Sequence, residues 1–268
     1  MKQLPLLEDG IAARDRGDYA NALTIFRSLA EQGLADAQRN LGLMYYNGQG
    51  VAQDHAEALK WYRLAAAQGD AAAQANLGLM YNNGEDIPQD FAEALKWSRL
   101  AAVQRNAVAQ FNLGLMYANG QGVKKDSAEA LKCYRLAAAQ GNAGAQCEIG
   151  RMYVNGQGVE QDFAEGVKWY RLAAAQGNAG AQVNLGLMYE TGKGVPQDYA
   201  EALKSYRLAA VQGDAVAQFN LGAMYGNGRG VKQDYVEALK WHRLAAAQGD
   251  AVSQFNLGVM YNNGQGVG

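Results

Sequence analysis

The residue types that could carry out chemistry are few in this chain of 268 residues, and they do not cluster. The two histidines, His55 and His242, lie far apart, and neither has neighbours at the spacing of a metal site. We interpret both as helix residues rather than metal ligands. No Ser/His/Asp grouping can be named, and the glycine-containing loops lack the lysine and preceding strand of a phosphate loop. These residues predict no metal, no cofactor and no enzyme.

The only other candidates for reactive groups are two cysteines. Cys133 lies eight residues before a predicted turn at Gly141-Asn142, and Cys147 lies five residues after it. Packed helix axes lie roughly 8 to 10 Å apart, which exceeds the usual Cα separation of a disulfide. Two cysteines cannot form a disulfide framework. Both a single bridge and two free thiols remain open from the sequence.

The carboxylates recur at a fixed interval, which argues against an isolated acid/base pair. The same interval of 36 residues, without insertion, separates segments of the type Leu-Gly-x-Met-Tyr. A period of this length predicts stacked helical or strand units, that is, a solenoid, and solenoids usually bind rather than catalyse. The repeated glycines are Gly42, Gly78, Gly114, Gly150, Gly186, Gly222 and Gly258.

Each repeat predicts a helical hairpin that begins with a helix we call helix A. In one repeat Asp70 can cap its N-terminus, and Gly84 can adopt the left-handed conformation that ends a helix. With about 3.6 residues per turn, the Ala, Leu, Met and Tyr positions share one face, which we expect to be buried. Glycine inside a helix costs roughly 0.5 to 1 kcal/mol against alanine, so its repetition indicates close packing. In the first repeat the expected packing residues are Ala37, Leu41, Met44 and Tyr45.

The second helix of each hairpin, helix B, begins at an aspartate such as Asp54, and Glu57 three residues later predicts a capping box. Lys60 and Arg63 suit a solvated outer stripe near the helix C-terminus. Helix B ends at glycine in most repeats. Arg105 replaces that glycine once, with strain of order 1 kcal/mol, so the turn there can differ locally. The residues expected to be buried are Leu59, Tyr62, Ala65 and Ala66.

The alternation of helices and short loops predicts an all-α superhelix. We expect a single solenoid domain over residues 1–268. It would comprise an N-terminal half-unit at 1–33, six full repeats at 34–249 and a C-terminal half-repeat at 250–268.

The charge of the chain bears on its partners and its location. With a net charge of −2 and a pI near 5.8, the chain has no overall positive electrostatic field that would attract nucleic acid or anionic lipid. No segment is long and apolar enough to predict membrane insertion. Residues 1–7 are too short for the apolar region of a signal peptide. We expect a cytoplasmic protein if Met1 is native, and leave secretion open if a signal was removed.

The repeat resembles the Sel1-like repeat, a relative of the tetratricopeptide repeat. The resemblance implies a right-handed α/α superhelical solenoid that acts as a scaffold for protein complexes, commonly in bacterial secreted or periplasmic proteins. Cysteine-rich relatives with a disulfide in each hairpin have been linked to β-lactam binding, but this chain lacks that cysteine pair. Asp86, Cys133, Arg151 and Ser205 depart from the repeat pattern. The matching residues run from Ala37 and Leu41-Gly42 through Gly48-Gln49-Gly50-Val51 and Asp54 to Trp61-Tyr62 and Ala65-Ala66.

The face of helix A opposite its core varies most between repeats, as a binding surface would require. We interpret it as a concave groove for a peptide or protein partner. An alternative remains for the aromatic members, which could pack against neighbouring A helices. The candidate binding residues are Arg39, Tyr46, Asn82, Phe111, Arg151, Val154, Glu190, Phe219, Phe255 and Asn262.

A mid-helix asparagine recurs beside the repeated glycine, although asparagine is a poor helix former. A ladder of amides could bind a peptide backbone, as related tetratricopeptide grooves do. Alternatively, each amide could bond to an adjacent helix or loop. The asparagines are Asn40, Asn76, Asn112, Asn184, Asn220 and Asn256.

The sequence therefore favours a non-enzymatic interaction scaffold. A hydrolase or β-lactam-binding protein is an alternative suggested only by relatives of the resembled family. A purely structural repeat array is a third, because the Arg-Leu-Ala-Ala-Ala-Gln-Gly segments are nearly identical.

A first prediction concerns the final A helix, which has no helix B after it in the sequence. Part of its stacking face should be exposed, so we expect either a truncated chain or end-to-end association with another copy. Light scattering across a range of concentrations measures the second outcome. A strictly monomeric species at every concentration would contradict it.

Overall fold

A computed structural model describes residues 6–84 and 86–267, and all its regular elements in those ranges are helices. Met1 to Pro5, most of the segment we weighed as a signal sequence, lies outside the described residues. Every described helix is too short or too polar to span a membrane. The helices are α1 Leu7–Asp15, α2 Tyr19–Glu31, α3 Ala35–Asn47, α4 His55–Ala67, α5 Ala71–Asn83, α6 Phe91–Val103, α7 Ala107–Asn119, α8 Ser127–Ala139, α9 Ala143–Asn155, α10 Phe163–Ala175, α11 Ala179–Thr191, α12 Tyr199–Ala210, α13 Ala215–Asn227, α14 Tyr235–Ala247 and α15 Ala251–Asn262.

The chain forms two compact units, Met1–Gln140 and Gly141–Gly268. Within each unit, consecutive helices pack against each other, and the described residues of both units form helical hairpins in series. From α3 onward, odd-numbered helices are A helices and even-numbered helices are B helices. The predicted all-α solenoid of hairpins is confirmed, whereas the division at 33 and 249 stays a prediction.

The predicted helix ends are confirmed. The Asp70 carboxylate accepts a hydrogen bond from the Ala73 amide at the start of α5, and Gly84 ends that helix with a φ of 70°. Arg105 has a φ of 63°, in the same left-handed region as Gly69 at 91°. The turn at Arg105 therefore keeps the conformation of the glycine turns, and the expected local difference is absent.

The capping-box prediction for helix B is wrong in one half. The Asp54 carboxylate does accept from the Glu57 amide, at 2.9 Å. The Asp54 amide, however, donates to the Tyr45 carbonyl of the preceding A helix at 2.9 Å, so it needs no bond from Glu57. The Glu57 carboxylate instead pairs with Lys60. A nonlocal backbone contact thus replaces the second bond of the box.

From α3 to α14, every hairpin except α5–α6 is closed by an aromatic ring of helix B that lies on the glycine of helix A. A Cβ on Gly42 would lie 2.8 Å from the Tyr62 ring, and a Cβ on Gly114 would lie 2.5 Å from the Tyr134 ring. A Cβ atom essentially never lies within 3.0 Å of another heavy atom of this kind, so the backbone of helix A must carry no side chain at this point. Tyr62 and Tyr134 are fully buried as a result.

Within each unit, two kinds of side-chain link join a helix B to the next A helix. The first runs from the B-helix arginine to the tyrosine of the Met-Tyr pair, as from Arg99 to the Tyr117 hydroxyl at 3.0 Å. Arg63, which we expected on the solvated stripe, donates to the Tyr81 hydroxyl in the same way and also lies over its ring. The tyrosine of Met-Tyr is therefore an acceptor for the preceding hairpin.

The second link is a buried glutamine that spans three helices. Gln110 on α7 donates through Nε2 to the Ala102 carbonyl of α6 at 3.2 Å, and its Oε1 accepts from Gln140 after α8 at 2.8 Å. Gln110 is 3% exposed, so both bonds are shielded from water. Equivalent glutamine pairs are Gln38 with Gln68, Gln74 with Gln104, Gln146 with Gln176, Gln182 with Gln212 and Gln218 with Gln248.

The ring-on-glycine contact predicts opposite effects for one substitution at two places. Gly114→Ala should destabilise the chain by about 1 to 3 kcal/mol, because its Cβ would overlap the Tyr134 ring. Gly258→Ala is the matched control, since no atom lies within 4 Å of its added Cβ. Alanine there should stabilise the helix by roughly 0.5 to 1 kcal/mol. Urea denaturation of both variants measures the effects, and equal effects at both sites would contradict the contact.

The turn at Arg105 predicts a stabilising substitution. Arg105→Gly should gain up to roughly 1 kcal/mol, because glycine adopts a positive φ without the penalty of a side chain. Gly177→Arg tests the reverse change at an equivalent turn, where φ is 85° and an added Cβ has no atom within 4 Å. The melting temperature should rise for Arg105→Gly and fall for Gly177→Arg. A fall in both would show that Arg105 has a stabilising contact that outweighs its strain.

Candidate interaction groove

A depression recurs at one register of the repeat, where two successive A helices meet the B helix between them. In the first instance Leu43 and Tyr46 of α3 face Asn76 and Leu79 of α5, and Tyr62 of α4 forms the floor. The cavity is about 90 Å³. We call this series of depressions the A-face groove and describe it separately in each unit.

The next instance in the same unit is larger. It lies between α5 and α7, with Gly78, Asn82, Ser98, Asn112 and Leu115 among its lining residues, and measures about 250 Å³. Each of these residues is 36 positions beyond its counterpart in the preceding repeat. The main difference at the floor is that a serine occupies the position of Tyr62.

The second unit contains an equivalent depression between α13 and α15. Gly222, Gly226, His242, Asn256 and Val259 are among its lining residues, and the cavity is about 310 Å³. Histidine here replaces the floor tyrosine, and Gly226 stands where the first instance has Tyr46. The residues at these two positions differ among the three depressions, as do the cavity volumes.

The predicted binding residues of the first unit lie in different environments. Tyr46 and Asn82 line the two depressions of that unit, and the Tyr46 ring lies 4.8 Å from the His55 ring. Arg39 pairs with Asp36 and with the cap residue Asp70.

The candidates in the second unit are mostly engaged in internal contacts. Arg151 pairs with Glu148 on its own helix. Glu190 accepts from the Tyr206 hydroxyl at 2.9 Å and pairs with Arg229 at 3.3 Å. The Val154 side chain would lie 2.6 Å from a Cβ on Gly166 of α10. These contacts indicate structural roles for the side chains of Arg151, Glu190 and Val154.

The aromatic candidates differ by their surroundings. The Phe111 ring lies 5.9 Å from Tyr134, and the Phe219 ring lies 5.8 Å from His242. These contacts favour the packing alternative, with the partner on the B helix of the same hairpin rather than on a neighbouring A helix. Phe255 on α15 is 71% exposed, and Asn262 is exposed as well. Self-association through this helix stays a prediction.

The recurrent asparagines make internal hydrogen bonds at several positions. Asn40 donates to the Asp36 carbonyl at 2.8 Å and accepts from Arg14 at 2.6 Å. Asn76 interacts with the Tyr62 hydroxyl and opposes the rise in its pKa that burial causes. In contrast, the Nδ2 atom of Asn112 is buried and has no hydrogen-bond partner. The internal alternative therefore accounts for Asn40 and Asn76 but leaves Asn112 unexplained.

The surroundings of the potentially reactive side chains limit their reactivity. Cys133 and Cys147 are free thiols, and burial raises the pKa of each to about 11, so both are protonated near neutral pH. Across residues 6–84 and 86–267, no three His, Cys, Asp or Glu side chains come together in a way that could hold a metal ion.

Ser98 and its effect on the groove were not predicted from the sequence. Ser98 stands in the second position of the Trp-Tyr pair, where the other repeats have Tyr62, Tyr134, Tyr170, Tyr206 and His242. A comparison of these six positions would have shown the loss of a ring. Its consequence at Asn112 could be seen only once the Tyr62 ring was placed against Asn76.

Comparisons with known proteins agree with this architecture. A family model of the Sel1 repeat matches residues 35–70, 71–104, 107–142, 143–178, 179–214, 215–250 and 251–268. A search of curated proteins found no significant match.

Several solved structures are similar to this chain. A Sel1 repeat protein from Oxalobacter formigenes is 39% identical with a TM-score of 0.85, covering 91% of this chain and 100% of that one. A protective antigen with an SLR fold from uropathogenic Escherichia coli strains is 42% identical with a TM-score of 0.81, over 90% of this chain. This chain spans about half of that protein, 52%. An immunity protein from Pseudomonas aeruginosa is 26% identical with a TM-score of 0.56, covering 81% and 83% of the two chains.

The buried histidine of the groove predicts a pH dependence. Burial lowers the pKa of His242 below its ordinary value, with a smaller opposing effect from Asp250. The neutral ring also lies 3.3 Å from the Ser253 hydroxyl. His242 therefore binds a proton more readily in the unfolded chain than in the folded chain. The stability that neutral His242 contributes is complete above about pH 6.5 and is lost as the pH falls through the lowered pKa.

His242→Tyr restores the residue type found in most repeats and should remove that part of the pH dependence. Urea denaturation at pH 7.5 and pH 5.0 measures the change in unfolding free energy. The native chain should lose more stability on acidification than the variant. An identical loss in both proteins would show that His242 does not titrate differently on folding.

Proposed function

The chain belongs to the Sel1 repeat family, and we propose that it is a non-enzymatic interaction scaffold whose A-face groove receives a peptide segment of a protein partner. Proteins of this family are generally non-catalytic scaffolds for protein interactions. The observation that carries the proposal is a depression found at the same register in three places along the chain, with a different lining in each.

The residues around the groove divide into two sets. The glycine, the floor ring and the glutamine are committed to packing and to internal hydrogen bonds, as Gly42, Tyr62 and Gln38 show. The positions of Tyr46, Asn82 and Gly226 line the depressions and differ in size and polarity. A scaffold that holds its packing constant and varies its groove can select one peptide sequence over another.

The chemistry of the groove favours a peptide over other ligands. Leucine side chains such as Leu79, with asparagine amides beside them, suit a segment that presents both side chains and backbone groups. The net charge of −2 gives no general attraction to nucleic acid. The similarity to a Pseudomonas aeruginosa immunity protein adds support for a protein partner.

Selection from a displayed library of random peptides tests the proposal. Peptides enriched on the native chain should bind the double variant Tyr46→Ala, Asn82→Ala at least about tenfold more weakly, because both side chains line the groove of the first unit. Lys60→Ala is the control, since this side chain is 67% exposed on helix B. It should change the affinity less than about twofold.

Isothermal titration with the enriched peptides measures the affinities, and circular dichroism shows that each variant is folded. Failure to enrich any peptide, or equal loss of affinity in the groove and control variants, would overturn the groove assignment.

A further inference from the structure

The floor of the groove in the second depression lacks a ring that the same fold supplies elsewhere. Gly78 and Ser98 are the counterparts of Gly42 and Tyr62. The Tyr62 ring covers Gly42, whereas the atom that an added Cβ on Gly78 would meet first is the Ser98 hydroxyl oxygen. The serine side chain ends at that oxygen. Ser98 therefore leaves empty the volume that a tyrosine ring fills at the position of Tyr62.

The difference in cavity size agrees with a missing ring. The depression above Tyr62 measures about 90 Å³, and the one above Ser98 about 250 Å³. An apolar cavity of about 150 Å³ is enough to bind benzene in a protein interior. Leu79, Leu115 and Met116 supply apolar walls around the Ser98 cavity. Its size and lining therefore suit one aromatic ring.

The hydrogen bonds around the cavity point to a polar group on that ring. Asn76 interacts with the hydroxyl of Tyr62, and its counterpart is Asn112. With Ser98 in place of tyrosine, the Nδ2 atom of Asn112 is buried without a partner. The Oδ1 atom of Asn82, another lining residue, is also buried without a partner. A phenol hydroxyl both donates and accepts, so it can serve both carboxamides.

We propose that the cavity lined by Gly78, Ser98 and Asn112 receives one tyrosine side chain from the peptide partner. Its ring would occupy the volume vacated at position 98, and its hydroxyl would bond to the carboxamides of Asn82 and Asn112. This inference rests on the proposed function, because the partner must reach the A-face groove to insert the ring. The peptide specificity of the first unit would then come from the cavity at Ser98 and from its preference for tyrosine.

Titration of the labelled full chain with p-cresol, the side chain of tyrosine, tests the cavity without a peptide. We expect saturable shifts of the backbone amide resonances around Gly78 and Asn112. Toluene, the side chain of phenylalanine, should bind about tenfold more weakly, since it leaves both carboxamides unpaired. Equal binding of the two probes would overturn the role of Asn82 and Asn112.

Ser98→Tyr supplies the missing ring from within the chain and should reduce p-cresol binding at least tenfold, while raising the melting temperature. If that variant does not fold, Ser98→Leu fills the cavity with an aliphatic side chain and provides the same comparison. Tyr62→Ser is the matched gain of function, which should open a second p-cresol site beside Asn76. Undiminished p-cresol binding by a folded position-98 variant would refute the cavity as the site.

The displayed peptides separate this inference from the proposed function. Peptides enriched on the native chain should share a tyrosine and lose at least tenfold in affinity for Ser98→Tyr. Enriched peptides that depend on Tyr46 but contain no common tyrosine would overturn only the cavity assignment. Binding of p-cresol with no peptide enrichment would overturn the groove as a peptide site and leave a phenol-binding cavity.

Discussion

The fold depends on one contact, an aromatic ring of helix B lying on the bare backbone of helix A. The absence of a side chain at Gly42 lets Tyr62 enter between the helices of a hairpin, where it fills the interior and excludes water. The same ring reaches the next A helix, where its hydroxyl interacts with Asn76. A single residue pair therefore sets both the spacing inside a hairpin and the contact with its successor. The groove above it is deep or shallow according to the ring that lies there.

The links between hairpins are polar, although the interior is mostly alanine, leucine, methionine and tyrosine. Glutamines such as Gln110 satisfy a carbonyl at the end of one B helix and a second glutamine at the end of the next. The arginine-to-tyrosine bonds join helix B to the following A helix. Because small alanines carry little apolar area, directional bonds fix the register that apolar packing alone would leave loose. The exposed charges on helix B, in contrast, form short-range pairs with little effect on stability.

Local features of the fold could be predicted from the sequence, and nonlocal ones could not. Asp70 and Gly84 act within one helix turn, so residue type alone identified them as cap and stop. The second half of the capping box failed because the Asp54 amide bonds to Tyr45, which no local pattern reveals. The use of the variable face of helix A as a binding groove stays a prediction, and two of its proposed members, Phe111 and Phe219, pack on helix B rings. The Ser98 cavity required knowledge of where its missing ring would have been.

The glutamine pairs have a consequence for how such a chain can change its length. Each pair joins residues 30 positions apart, and each arginine-to-tyrosine bond joins residues 18 apart, in hairpin after hairpin. Removal or duplication of one period within a unit would bring equivalent partners together at unchanged separations. No buried amide would be orphaned by such an event. Recombination between near-identical segments can therefore shorten or extend the array by whole hairpins. The number of groove positions would change with the number of hairpins, while the packing contacts between hairpins would stay the same.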